Sequence, residues 1–261
     1  MPNAPRLRDL RPQGGLNAFS KSFIVELGGH LIYWIALKGE IGGDDFVRAL
    51  GGAFKTQIRL SPLGLLDLEH EGLGYSAKTI KAKNPFKLKA ARLIIGRASP
   101  FYSYKMEWQK DLQKTGLALI NIYNERIKIA LHSCQQLRLM VLVRSLDLKE
   151  FILFEELVKP LKNLYSWELN PRGNLMGFDK QEHHCFTWQP HGAQLTKITP
   201  IPKNALKFSL KHPPPLNPQT FLEQMGFKGN WCVCKIRSYR ATLVVRVSAG
   251  VARDFFWLIN S

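Results

Sequence analysis

The run Leu137–Val143 constrains this chain more than any other stretch. Arg138 apart, it is apolar rather than alternating, so it reads as a strand buried on both faces. Such a strand needs a layer on either side, and the chain supplies candidates. Phe19, Phe23, Leu27, Leu31 and Ile35 recur every four residues, which predicts a helix. Gly28-Gly29 interrupts that pattern, and each mid-helix glycine costs about 1 kcal/mol. Gly43-Asp44-Asp45 opens a second short helix through about Phe54, with an aspartate as its cap. From Trp108 to about His132 the spacing of Leu112, Leu119, Tyr123 and Ile127 predicts a long, mostly buried helix. Phe151–Phe154 reads as the neighbour of the buried strand, and Leu93-Ile94-Ile95 as a further short strand.

After Pro160 short strand-like runs alternate with turns such as Asn170-Pro171-Arg172-Gly173 and Gln189-Pro190-His191-Gly192, the texture of a β-meander. Leu206–Lys211 reads as one more strand, Pro213-Pro214-Pro215 as a stiff break, and 218–225 as a short helix. The expected fold class is α/β (α+β), with a central mixed β-sheet flanked by helices and a β-rich C-terminal region. The expected divisions are a helix and sheet core over 1–160, a meander over 161–235 and a tail over 236–261, all within reach of one domain.

The formal charge of +17 over 261 residues implies a polyanionic partner, nucleic acid before an anionic membrane. The first helix carries too few basic residues to lie on a membrane, and Leu31–Leu37 is too short to span one. Cys134, Cys185, Cys232 and Cys234 fit neither a disulfide framework nor a pair of zinc-binding pairs, and His183, His184 and His191 beside Cys185 do not complete one. The basic N-terminal arm, residues 1 to about 15, lacks the apolar core of a secretory signal, so a reduced, cytoplasmic setting is expected. Neither a phosphate-binding P-loop nor Gly-x-Ser-x-Gly is present.

The chemistry-bearing stretch is Leu63–Pro85, read as two strands joined through a glycine turn. Asp67 lies in the first apolar run and Lys78 in the second, so pairing brings a carboxylate and an ammonium together. A structural ion pair explains that as well as a site does. Mg²⁺ needs only one or two carboxylates alongside substrate phosphate oxygens. Lys78, Lys81, Lys83, Lys87, Lys89 and Arg92 crowd the exit of the hairpin, and the run from Lys78 to Lys89 suits phosphate neutralisation. Arg172, Asn174, Gln189, His191 and Gln194 flank later turns, and glutamine and arginine match the edges of adenine and guanine.

Asp67 followed by Ser76-Ala77-Lys78 resembles the PD-(D/E)XK nuclease core of type II restriction endonucleases. The resemblance implies a Mg²⁺-dependent, site-specific double-stranded DNA endonuclease. Asp67 takes the first acid position, Lys78 the lysine position, and Ser76 stands where the second acid belongs. Leu66, rather than proline, precedes Asp67. The family often adds a glutamate from a preceding helix, which assigns Glu26 with Asp67 to the metal; Glu69, two residues beyond Asp67, is the alternative. The similarity extends over residues 15–215, including Asn170–Asn174, Phe186–Gly192 and Leu206–Phe208. It also implies a prokaryotic host with a cognate DNA methyltransferase, and a homodimer where the site is a palindrome. The competing reading is a non-catalytic basic protein that binds DNA or RNA.

Overall fold

The computed structural model describes residues 15–58, 65–162, 164–211, 231–235, 242–246 and 255–258. The chain divides into two compact units, residues 1–212 and 213–261. The smaller unit contains an antiparallel sheet of three strands, Trp231–Lys235, Thr242–Arg246 and Phe255–Leu258. The N-terminal arm, the Pro213–Pro215 break, the 218–225 helix and Leu63 lie outside the described residues.

The larger unit is mixed α+β, with two five-stranded sheets and few helices. The helices are α1 (Lys21–Lys38), α2 (Gly43–Phe54), α3 (Pro100–Tyr104) and α4 (Leu112–Leu131). Ser20 caps α1 by accepting the Phe23 N–H (3.2 Å), and Asp111 caps α4 through Lys114 N–H (2.9 Å). The first helix passes through Gly28-Gly29 because Phe23, Leu27, Leu31 and Ile35 bury one face of it. Tertiary burial of about 1.5–3 kcal/mol per large apolar side chain outweighs the glycine cost.

The mixed sheet contains β1 (Leu68–His70), β2 (Leu73–Ala82), β4 (Gln136–Ser145), β5 (Glu150–Val158) and β10 (Leu206–Ser209), in the order β1-β2-β4-β5-β10. β2 and β4 run parallel, and the other pairs are antiparallel. β4 is the doubly buried strand that its sequence predicts. Leu139, Val141 and Val143 face the core beneath α4, while Met140 and Leu142 face the core beneath α1 and α2. Arg138 interrupts the run and is buried against Glu155 of β5, with Nη1 3.2 Å from both carboxylate oxygens. Asn17 holds Glu155 in place from both sides: its N–H donates to Oε2 (2.9 Å) and its Oδ1 accepts from Glu155 N–H (2.6 Å).

The meander sheet contains β3 (Ala90–Arg97), β6 (Ser166–Leu169), β7 (Leu175–Phe178), β8 (His184–Gln189) and β9 (Gln194–Pro200), in the order β3-β9-β8-β7-β6. One face packs on α4 through Leu93, Trp167, Leu175, Phe186, Trp188 and Leu195. Two amide side chains about three helical turns apart on α4 tie down the first strand of this sheet and the segment leading to it. Gln113 accepts from Trp167 N–H (3.2 Å) and donates to its carbonyl (2.7 Å); Asn124 does the same for Leu161, at 2.7 and 2.9 Å. Gly116 is required where the Trp167 indole crosses α4, since a Cβ there would lie 2.2 Å from Trp167 Cδ1.

Packing crosses the expected division at residue 160 twice. β3 leaves the N-terminal half to pair with β9, and β10 returns to the free edge of β5. The core and the meander therefore belong to one unit, which ends near residue 212. Among the described residues no helix is long and apolar enough to cross a membrane.

Candidate active site

The hairpin at the sheet edge is asymmetric. Glu71 and Gly72 both adopt positive φ (50° and 76°), the requirement of a type I′ turn, so β1 returns tightly as β2. β1 has only three residues against ten in β2. Beyond the reach of β1, one edge of β2 opens on solvent while the other stays paired with β4 through Ala82.

Asp67 sits at this opening, one residue before β1 rather than within a strand. Leu68 is the register partner of Tyr75, yet Asp67 N–H also donates to the Tyr75 carbonyl (2.8 Å). Two successive residues thus address one, a bulge-like slip of the kind that re-aims a side chain. The Asp67 carboxylate then continues the ladder, with Oδ2 accepting the Ala77 N–H (2.7 Å).

A cleft of about 480 Å³ surrounds this carboxylate, lined on one side by Asp44 and Val47 of α2, on the other by Arg92 and Ile94 of β3, and floored by Lys78 and Lys81 of β2. Burial pushes the Asp67 carboxyl above the usual aspartate range, and the Asp44 carboxylate adds to the rise. The Lys78 ammonium and the Ala77 N–H oppose it. Ser76 lies near enough to favour the ionised carboxylate, but its buried hydroxyl makes no hydrogen bond of normal geometry. Lys81 is ion-paired with Glu40, which also takes Arg144 at 2.9 Å. The Lys81 hydrogen bond lowers the Glu40 carboxyl.

A groove of about 750 Å³ lies on the outer face of the meander sheet. It shares Arg92 and Ile94 with the cleft. Four of the residues expected to contact DNA line it: Arg172, Asn174, Gln189 and Gln194. Asn170 Oδ1 builds the turn that carries the first two by accepting both Arg172 N–H (2.9 Å) and Asn174 N–H (3.0 Å). Gln189 and Gln194 are direct cross-strand partners at the tip of β8 and β9. Among the described residues no carboxylate lines the groove.

No protein-family model, curated protein or solved structure matches this chain.

The structure brings Asp67, Lys78 and Lys81 to the cleft, while Ser76 is buried and outside its lining. It does not bring Glu26, which is exposed on α1 and outside the cleft lining. The helix that reaches the cleft is α2, and the carboxylate it supplies is Asp44. Glu69 does not line the cleft either; it lies toward Cys134, whose thiol it helps to raise. Lys83 and His191 are exposed and outside both cavities. His183 pairs with Asp179 (3.2 Å), and His184 with the Phe186 carbonyl (2.8 Å). Two residues of the site escaped sequence reasoning in this role. Asp44 was hidden by Asp45, which does the capping through the Gly42 N–H (2.9 Å) and pairs with Lys38 (2.6 Å). Arg92 was visible only as one of many basic residues, although the alternation Ala91, Leu93, Ile95 places it on the outer face.

Among the described residues no cluster of three or more His, Cys, Asp or Glu side chains could hold a metal. The donor set at the cleft is instead two carboxylates, Asp44 and Asp67, the first of which adds to the rise of the second. Hard oxygen donors in that number suit Mg²⁺, which completes its shell with water and phosphate oxygens.

Proposed function

We propose that this protein is a Mg²⁺-dependent, site-specific double-stranded DNA endonuclease with a restriction-endonuclease-like arrangement of its central sheet. The observation that carries the reading is the continuity of the two cavities. A cleft with two carboxylates and two lysines at a frayed strand edge adjoins, through Arg92 and Ile94, a groove lined by arginine and amide side chains.

Asp67 and Asp44 would hold the cation, which when bound polarises the phosphodiester and lowers the pKa of a coordinated water. Asp67 is held for this by the Ala77 N–H, which donates to Oδ2. Lys78, the next residue along β2, would hold its ammonium where negative charge grows on the phosphorus oxygens during attack. Lys81 and Arg92 draw the backbone into the cleft, since a phosphate competes readily with the exposed Lys81–Glu40 pair. The groove supplies sequence discrimination, Gln189 and Gln194 suiting adenine and Arg172 suiting guanine. A methyltransferase that modifies the same site would protect host DNA, and a symmetric dimer would suit a palindromic site.

The buried Ser76, in the second acid position, favours one other reading: a DNA-binding protein without cleavage. Incubation with phage DNA in Mg²⁺ and in EDTA separates the two. Discrete fragments with Mg²⁺ alone are expected, and Lys78→Ala should slow their appearance by about 10²–10³-fold. Cutting by Lys78→Ala at the unmodified rate would overturn its role. Intact DNA with a salt-dependent gel shift would support the binding protein instead.

A further inference from the structure

Arg92 follows Ala91 and precedes Leu93 on β3, and both neighbours point into the core. Its side chain therefore stands on the outer face, where the cleft and the groove meet. Among the described residues no carboxylate lies within ion-pair distance of its guanidinium. Its hydrogen bond is to a hydroxyl: Nη2 donates to Thr187 Oγ1 at 3.3 Å. Thr187 is 6 % exposed and held in turn, with Oγ1 2.9 Å from His184 Nε2. That nitrogen also lies 2.8 Å from the Phe186 carbonyl, which only accepts, so Nε2 carries the proton. The Thr187 oxygen thus takes an Arg92 N–H and a share of the His184 Nε2–H, and a buried β8 residue holds one end of an exposed arginine fork.

A guanidinium oriented by a neutral acceptor keeps its charge and most of its donors for a ligand, and its planar fork matches two phosphate oxygens. Resting on the nuclease reading above, we infer that Arg92 clamps the DNA phosphate lying between the bases that are read and the bond that is cut. Thr187, backed by His184, is its positioning residue. The clamp sets the register between recognition and cleavage, so its loss affects rate as well as affinity.

The experiment uses the full chain and a duplex bearing the cut site. Binding is followed by fluorescence anisotropy in EDTA over a range of salt, and cleavage as single turnovers with Mg²⁺ and saturating protein. Arg92→Ala should lower the slope of log K against log salt by about one. It should also slow the single-turnover rate by about 100-fold, the scale of a misplaced reacting group. Arg92→Lys should recover the slope but not the rate, because a point charge lacks the fork. Thr187→Val should keep the slope and lower the rate. An Arg92→Ala protein that matches the unmodified slope and rate overturns the clamp, and so does full recovery of both by Arg92→Lys. If the unmodified protein binds no DNA, the nuclease reading falls and takes the clamp with it. If it binds and cuts while Arg92→Ala behaves identically, the clamp alone falls.

Discussion

The mixed sheet gives both faces to the core, with Leu139 and Val141 toward α4 and Met140 and Leu142 toward α1 and α2. The meander sheet gives one, keeping Arg92, Thr187, Gln189 and Gln194 for its outer face. The difference decides where each can carry a site. A sheet covered on both sides can offer side chains to a ligand only at an end or a frayed edge, and Asp67 and Lys78 lie at such an edge. A sheet covered on one side can offer every second residue along several strands, which suits the reading of an extended polymer. The first arrangement concentrates a few charged groups in a desolvated corner. The second spreads many neutral donors and acceptors over a surface.

The comparison breaks most visibly at Glu155. This carboxylate sits inside the mixed sheet against the buried Arg138, with side-chain exposures of 4 % and 7 %. Removing one partner of a buried pair leaves the other's charge without its counter-charge, at about 3–5 kcal/mol. Glu155→Ala should therefore lower the midpoint of urea unfolding for the whole larger unit. A midpoint equal to that of the unmodified protein would show that the mixed sheet does not depend on its internal charges.

Gln189 tests the opposite half. Its side chain is exposed, and Gln189→Ala removes nothing from the core. Stability should stay within about 0.5 kcal/mol of the unmodified protein. Discrimination at one base pair of the cut site should relax by about 1–3 kcal/mol, read as cleavage of singly substituted duplexes. Unchanged discrimination at every position would remove Gln189 from the reading surface. A large loss of stability would contradict the division of labour between the sheets.

What was legible in the sequence follows the same division. β4 and α4 announce themselves because burial imposes a pattern on their residues: a run apolar but for Arg138 in one, a helical spacing in the other. The polar turns of the meander were legible through Asn170-Pro171-Arg172-Gly173 and Gln189-Pro190-His191-Gly192, where backbone conformation selects residue type. Partnership was not legible. β3 follows β2 in sequence yet joins β9 in the other sheet, since strand pairing over a hundred residues leaves no local trace. The choice between Glu26 and Asp44 failed for a related reason. α1 and α2 both precede the hairpin, and only packing shows that α2 borders the cleft.

The smallest expected effect lies at Asp67, where site and scaffold meet. Burial and Asp44 hold its carboxyl above the ordinary value, so the folded state takes up the proton more readily than the unfolded chain. The stability this contributes is fully present below the unfolded value of about 3.9 and is lost as pH rises through the higher folded value. At neutral pH the ionised carboxylate therefore weighs against folding. Asp67→Asn keeps an acceptor for the Ala77 N–H and removes the charge. It should be more stable than the unmodified protein at pH 7, by up to about 1 kcal/mol, and the advantage should shrink as pH falls toward 4. The same variant should lose Mg²⁺-dependent cleavage, because an amide is a poor substitute for a carboxylate toward a hard cation. Urea midpoints at the two pH values measure the first effect and the DNA gel the second. A variant less stable at pH 7 would show that Asp67 is held for the fold, by Lys78 and the β2 backbone. Greater stability with lost cleavage would show that this edge of the mixed sheet keeps a charge the fold itself does not favour.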